Sequence, residues 1–233
     1  KGARENNLKN IDADFLINGL TVVTGVSGSG KSTLVKNILF PSILKYFNVY
    51  THKIGDFSKL EGDLNSIQNV EFVNQNPIGR SSRSNPVTYL KAYDDIRTIF
   101  SRQSLAKNRG YKPKHFSFNV DGGRCDICKG EGQVTIEMQF MADVILECEA
   151  CNGKRFKEEI REIKYNGYSI DQILSLTIDD ALKLFKNNNE SRLASKLKPL
   201  NQVGLGYVRL GQSSNTLSGG EAQRIKLATF ISK

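Results

Sequence analysis

The sequence predicts an α/β fold with a small module inserted in it, and three observations carry that expectation. A short apolar, β-branched run at residues 20–24 (LTVVT) leads into a glycine-rich loop and then into apolar residues at helical spacing. Two C-x-x-C pairs stand near the middle of the chain. LSGGE, at residues 217–221, opens a helical stretch near its far end.

Residues 20–24 end at Gly25, as a buried strand does. Leu34, Val35, Ile38 and Leu39 then share one helical face, so the loop joins a strand to a helix, which Pro41 is expected to end or kink. Residues 41–68 are of mixed polarity and predict no particular element. Residues 70–73 (VEFV) read as a second strand leading to Gln75. Leu90, Tyr93, Ile96 and Phe100 predict a helix with one apolar face. Residues 133–140 alternate, with Val134, Ile136, Met138 and Phe140 on one side and Thr135, Glu137 and Gln139 on the other. That pattern predicts a half-buried strand between the cysteine pairs. Residues 177–180 (TIDD) resemble a capping box ahead of a helix bearing Ala181, Leu182, Leu184 and Phe185. From Ser218 the chain reads as helical, with Ile225, Ala228 and Phe230 or Ile231 inward.

At 233 residues, 39% of them hydrophobic, the chain can bury a sizeable core. No apolar run approaches the roughly 18 residues of a membrane span, and KGARENNLKN has no apolar signal segment. A cytoplasmic address with no membrane contact is expected. Lysine and arginine number 33 against 24 acids, a net charge of +9. Arg97, Arg102, Lys107, Arg109, Lys112, Lys114 and Arg124 form a run in which Asp121 is the one acid after Ile96; Arg80, Arg83 and Lys91 precede it with no acid among them. A solvated face accounts for such a cluster. Its place beside a metal module makes contact with a phosphate backbone an equal contender.

Gly25, Val26, Ser27, Gly28, Ser29, Gly30, Lys31 and Ser32 fit G-x-x-x-x-G-K-[ST] completely. The glycines let backbone amides turn inward around α- and β-phosphates, and the helix that follows adds its dipole. Lys31 would reach the β- and γ-phosphates, and the Ser32 hydroxyl would ligate magnesium. A chance Gly/Ser turn is the bland alternative, which the flanking strand and helix patterns disfavour.

Ser218, Gly219, Gly220 and Glu221, with Gln223 and Arg224 after them, match the signature of ABC-type ATPases. Ser218 as N-cap and Glu221 three residues on make a good capping box. Capping leaves the two glycines unexplained, since they weaken a first turn unless something approaches the backbone closely. A γ-phosphate on the amides and hydroxyl of residues 218–220 accounts for the serine and both glycines.

Cys125 and Cys128, then Cys148 and Cys151, are two copies of a C-x-x-C-x-G knuckle. Two such loops make a four-thiolate tetrahedron for Zn²⁺. The spacer carries no water-activating carboxylate at ligand spacing, so the site should be closed and structural.

A P-loop, an inserted four-cysteine module and LSGGE together resemble the UvrA family, the damage-recognising A subunits of bacterial nucleotide excision repair. The likeness runs through ENNLKNID, TVVTGVSGSGKSTL, NPIGRSSRSNP, YDDIR, FSFNVDGGRCDICKGEG, CEACNGKRF, VGLGY and LGQSSNTLSGGEAQRIKLA. It implies an ABC-type P-loop ATPase domain with an inserted helical signature region and a zinc module. Lys31, Ser32 and Thr33 would hold Mg-ATP, Gln75 would sense magnesium and attacking water, and residues 218–221 would complete the nucleotide site of an opposite domain. The catalytic residues so implied are Lys31 and Gln75. Arg80 and Arg83, with Arg102, Lys107, Arg109, Lys112 and Lys114, would face damaged double-stranded DNA.

The short stretch between Lys31 and Cys125, with NPIGRSSRSNP, resembles the second of the family's two nucleotide-binding halves. The implied parts are an ATP-binding core at 1–80, a basic helical part at 81–120, the zinc module at 121–156, and the rest of the signature region at 157–233. The implied partners are the other nucleotide-binding half, a second UvrA subunit, and the excinuclease B subunit through parts outside the chain. A Walker B strand and switch histidine are expected beyond residue 233, so the 233 residues alone should turn ATP over poorly. A UvrA-like paralogue in drug self-resistance shares these motifs, and a nucleotide-binding fragment without turnover fits them too. A transporter ATPase would carry no four-cysteine insertion, and a J-type chaperone module would leave the P-loop and LSGGE unexplained.

Overall fold

The computed structural model describes residues 1–49, 53–79 and 81–231. The chain divides into two compact units, residues 1–72 and 73–233.

The first unit is small. Ala3 and Ile11 exchange backbone hydrogen bonds of 2.8 and 2.9 Å, and Ala3 and Leu8 pack on Ile38, with Leu34 and Phe57 beside them. After the glycine-rich loop, Thr33–Leu39 is wound as a π-helix and runs on into α1 (Phe40–Tyr46). Pro41 therefore does not end the helix. It falls where the π-helix passes into α1, and the carbonyl four residues back, Asn37, accepts the Gly55 N–H at 2.9 Å instead. The strand expected at residues 20–24 does not form. Leu20 is 86% exposed and Val22 70%, and no described segment pairs with them. An extended segment without a lateral partner has no ladder to hold it. Residues 70–73 fail to form a strand for the same reason, Val70 N–H being taken instead by the Asn69 side chain at 2.9 Å.

The second unit holds the main core. Its elements begin with α2 (Pro86–Tyr89), α3 (Tyr93–Ser101) and α4 (Ser104–Asn108). After the cysteine module come α5 (Glu158–Arg161), α6 (Ile170–Ser175), α7 (Ile178–Asn187), α8 (Ser191–Gln202) and α9 (Gly219–Ile231). Asn85 caps α2 in a reciprocal box with Thr88, and Thr177 accepts the Asp180 N–H at the head of α7, as the TIDD pattern predicts. Leu90 falls at the end of α2, so the helix predicted from residue 90 starts three residues later. Its apolar face is as expected: Tyr93, Ile96 and Phe100 are buried and join Phe116, Phe118, Phe156, Phe185 and Ile178 in one cluster. In α9, Ala222, Ile225 and Ala228 face inward, while Ile231 is exposed.

Two strands, β1 (Gln133–Ile136) and β2 (Val144–Glu147), form an antiparallel hairpin, with Gln133 opposite Glu147 and Ile136 opposite Val144. The alternation at 133–140 does not create a buried face. Val134, Ile136, Met138 and Phe140 are all exposed, Phe140 at 95%, because a two-stranded ribbon buries a face only when another layer packs on it.

Candidate functional site

In the first unit the phosphate-loop residues lie at the surface. The Lys31 ammonium donates to the Gly25 and Val26 carbonyls at 2.9 and 2.7 Å, so its side chain curls back over its own loop. Ser32 stands at the head of the helix and its hydroxyl caps no backbone N–H there. Gly30 has φ +94, and a methyl group in its place would lie 2.6 Å from Leu8 Cδ2 and 3.0 Å from Asn7 Oδ1. Asn7 also donates from its side-chain amide to the Gly28 carbonyl. Asn7 and Leu8 thus brace the loop, a support that motif reading did not identify. ENNLKNID is its trace in the sequence, but nothing in that string says which loop it holds.

In the second unit, the signature is built on the N-terminus of α9. Ser218 N–H and Oγ–H donate to Glu221 Oε2 at 2.7 and 3.0 Å, and Glu221 N–H returns a bond to Ser218 Oγ at 3.2 Å. The capping box is therefore real. Tyr207 donates its hydroxyl to the other carboxylate oxygen at 2.7 Å, and Arg224 reaches the Tyr207 oxygen at 3.4 Å. The Tyr207 phenol, then the Ser218 N–H, hold the Glu221 carboxyl below its ordinary value, and the same carboxylate pushes the phenol up. A methyl group on Gly219 would sit 3.3 Å from Gln75 Cβ, so one of the two glycines is tied to the packing of Gln75. Around Gly220 there is open space, which leaves its backbone approachable.

The four cysteines are buried together, all four sulfurs lying within 4.8 Å of one another. Cys125 and Cys148 are 3.9 Å apart at sulfur, and Cys128 and Cys151 3.7 Å. A disulfide needs about 2.05 Å. The edge of a zinc–thiolate tetrahedron with bonds of about 2.3 Å is about 3.8 Å, which these spacings meet. Burial pushes the Cys128 thiol up and the Cys151 thiol up to about 12, whereas at Cys148 burial is outweighed by hydrogen bonds from the Cys151 N–H and the neighbouring thiols, which lower it, so a cation is what would let all the sulfurs ionise together. The knuckles are built alike: Lys129 and Gly130 turn through φ +49 and +86, Asn152 and Gly153 through +48 and +69. Gly132 N–H donates to Cys128 Sγ at 3.2 Å, an outer contact that steadies a ligand. Below the module, Cys125 N–H bonds to the Arg155 carbonyl at 2.8 Å, and Phe118 meets Phe156 edge-on at 6.2 Å inside the main core.

Of the residues expected to face a polyanion, Arg80 lies outside the described residues. Arg83 is half-buried and pairs with Glu131 at 3.1 Å, and Arg109 pairs with Glu162 at 2.6 Å. Arg102, Lys107, Lys112 and Lys114 are exposed, and their ammonium and guanidinium groups join none of the ion pairs among the described residues.

No family model matches the chain. UvrABC system protein A of Clostridium perfringens is 53% identical over 233 residues, all of this chain and 24% of that protein. The Staphylococcus epidermidis protein of the same name is 48% identical over the same 233 residues, again 24% of its length. Among solved structures, UvrA2 from Deinococcus radiodurans superposes with a TM-score of 0.84 at 46% identity, over 98% of this chain and 27% of that one. The chain spans about a quarter of the length of the curated relatives it matches. With a fold like that of UvrA2, a four-cysteine cluster compatible with zinc, and about half its residues identical from end to end to proteins named UvrABC system protein A, the chain belongs to the UvrA family.

Proposed function

We propose that the chain is the C-terminal nucleotide-binding part of a damage-recognition protein of nucleotide excision repair, an ABC-type ATPase that binds Mg-ATP and damaged duplex DNA. The observation that carries this reading is the combination, in one chain matching UvrA proteins throughout, of a complete P-loop, a four-thiolate cluster and an LSGGE cap. In this reading residues 25–33 hold the phosphates, and Lys31 leaves its loop carbonyls to meet the β- and γ-phosphates. Ser32 offers its hydroxyl to magnesium, which neutralises developing charge on the phosphate oxygens. Gln75 orients the attacking water. Residues 218–221 present their amides and the Ser218 hydroxyl to the nucleotide of an opposite domain. Zinc is structural, held by Cys125, Cys128, Cys148 and Cys151, and leaves no position open for substrate. The other nucleotide-binding half, a second UvrA subunit and the excinuclease B subunit are the protein partners, at a cytoplasmic address. No helix among the described residues is long and apolar enough to cross a membrane.

The test is nucleotide binding followed by equilibrium titration with a fluorescent ATP analogue. Lys31→Ala should weaken binding at least about tenfold, the order expected when a charge-assisted contact to phosphate is removed. Equal affinity of the two proteins would refute the assignment of the P-loop.

A further inference from the structure

We propose that Lys226 is a positioning residue that locks the Gln75 loop to the signature helix, so that the two segments move as one body. This deepens the nucleotide reading above and rests on it. The Lys226 ammonium donates to Asn74 Oδ1 at 2.6 Å, to the Asn74 carbonyl at 3.2 Å and to the Asn76 carbonyl at 2.7 Å. Those acceptors flank Gln75 on both sides and match the three protons of an ammonium group. One turn earlier on α9, Gln223 donates from its side-chain amide to the Val73 carbonyl at 3.4 Å. At the head of the same helix Gly219 lies against Gln75 itself. Gln75 is therefore gripped along α9 from its first residue to its eighth.

All three acceptors are neutral oxygens, and burial lowers the Lys226 pKa. A lysine that served solubility alone would keep its charge in water. Here the charge organises a loop, and the loop is the one that carries the nucleotide-sensing glutamine. Gly219 and Lys226 are separated by about 10 Å along a continuous helix. A shift of Gln75 on nucleotide binding is thus carried to the cap at Ser218 without an intervening flexible joint.

A double-mutant cycle in the full native chain tests this. Lys226→Met keeps the apolar stem and removes the donors. It should lower kcat for ATP about tenfold while nucleotide Kd stays within about threefold, the split expected when positioning is lost and binding is not. Gln75→Ala should then cost much less in the Lys226→Met background than in the wild type, since contacting residues couple. Lys226→Arg should recover part of kcat. Asn74→Ala removes one acceptor without touching α9, and it too should be non-additive with Gln75→Ala; zinc content of one ion per chain in every variant certifies the fold. An unchanged kcat in Lys226→Met, or full multiplicativity of either cycle, overturns the proposal. Lys31→Ala separates the two levels. Hydrolysis indifferent to Lys31 defeats the nucleotide reading, whereas hydrolysis that needs Lys31 and ignores Lys226 defeats the clamp alone.

Discussion

Glu221 shows how much one side chain can be asked to do. Its carboxylate caps α9 through Ser218 and at the same time accepts from Tyr207, so both oxygens are engaged before any phosphate arrives. Glu221→Gln keeps the shape and removes the charge. It should cost about 0.5 kcal/mol of stability at pH 7, the usual value of an acidic charge in the first turn of a helix, since a glutamine can still make the capping box. Because the folded state holds this carboxyl below the ordinary glutamate value of 4.5, the charge contributes fully above that value. Its contribution fades as pH falls through the lowered value. Urea unfolding of both proteins from pH 7 down to about pH 3 should therefore show the difference shrinking with acid. A difference that grows on acidification would mean that the carboxylate is not what stabilises this cap. Proton competition for the cysteine sulfurs also destabilises at acid pH, but it acts on both proteins and leaves the difference intact.

The knuckle is the element on which the second unit's middle depends. Gly130 has φ +86, and a methyl group there would lie 2.1 Å from the Phe118 carbonyl oxygen, inside contact distance of backbone that cannot step aside. Gly130→Ala should destabilise by about 2 kcal/mol or more, through left-handed strain and the clash together. Chelator titration should show its zinc released at lower chelator concentration than from the wild type, since folding and metal affinity are linked. Zinc stoichiometry well under one per chain in untreated wild-type protein would sink the premise. These knuckles were legible in the sequence because ligand spacing is local: two sulfurs and a glycine within six residues specify the turn. Strands were not legible in the same way. LTVVT and VEFV have the composition of buried strands, but composition cannot say what will pair with them, and no described strand does. The 133–140 pattern is a strand for only half its predicted length and faces solvent, for lack of a covering layer. Lys226 was invisible for another reason. Its acceptors lie 152 and 150 residues away, and no periodicity links a lysine on a helix to two asparagines in a loop.

At the scale of the molecule the basic residues divide into two kinds, and the division predicts how a polyanion would respond to each. Arg83 and Arg109 already have carboxylates, Glu131 and Glu162, at 3.1 and 2.6 Å. Arg102, Lys107, Lys112 and Lys114 sit exposed within thirteen positions of sequence and pair with none of the acids among the described residues. A phosphate backbone exchanges condensed counterions for such free charges, and each one so used steepens the salt dependence of binding by about 0.9 in a plot of log affinity against log salt. A paired arginine has to give up its carboxylate first, so it returns less. Charge-neutralising Lys107, Lys112 and Lys114 together should flatten the slope by roughly 2 to 3 and weaken binding alike on all sequences, as phosphate contacts carry no base information. Arg83→Gln should instead leave Glu131 unpaired beside the cysteine module, and should show first as lost stability with little change in slope. Filter binding of duplex DNA across a salt series, with thermal unfolding of each variant alongside, reads both. If the triple variant keeps the wild-type slope while Arg83→Gln flattens it, the DNA-facing charges are the paired ones, and the run from Arg102 to Lys114 is a solvated face.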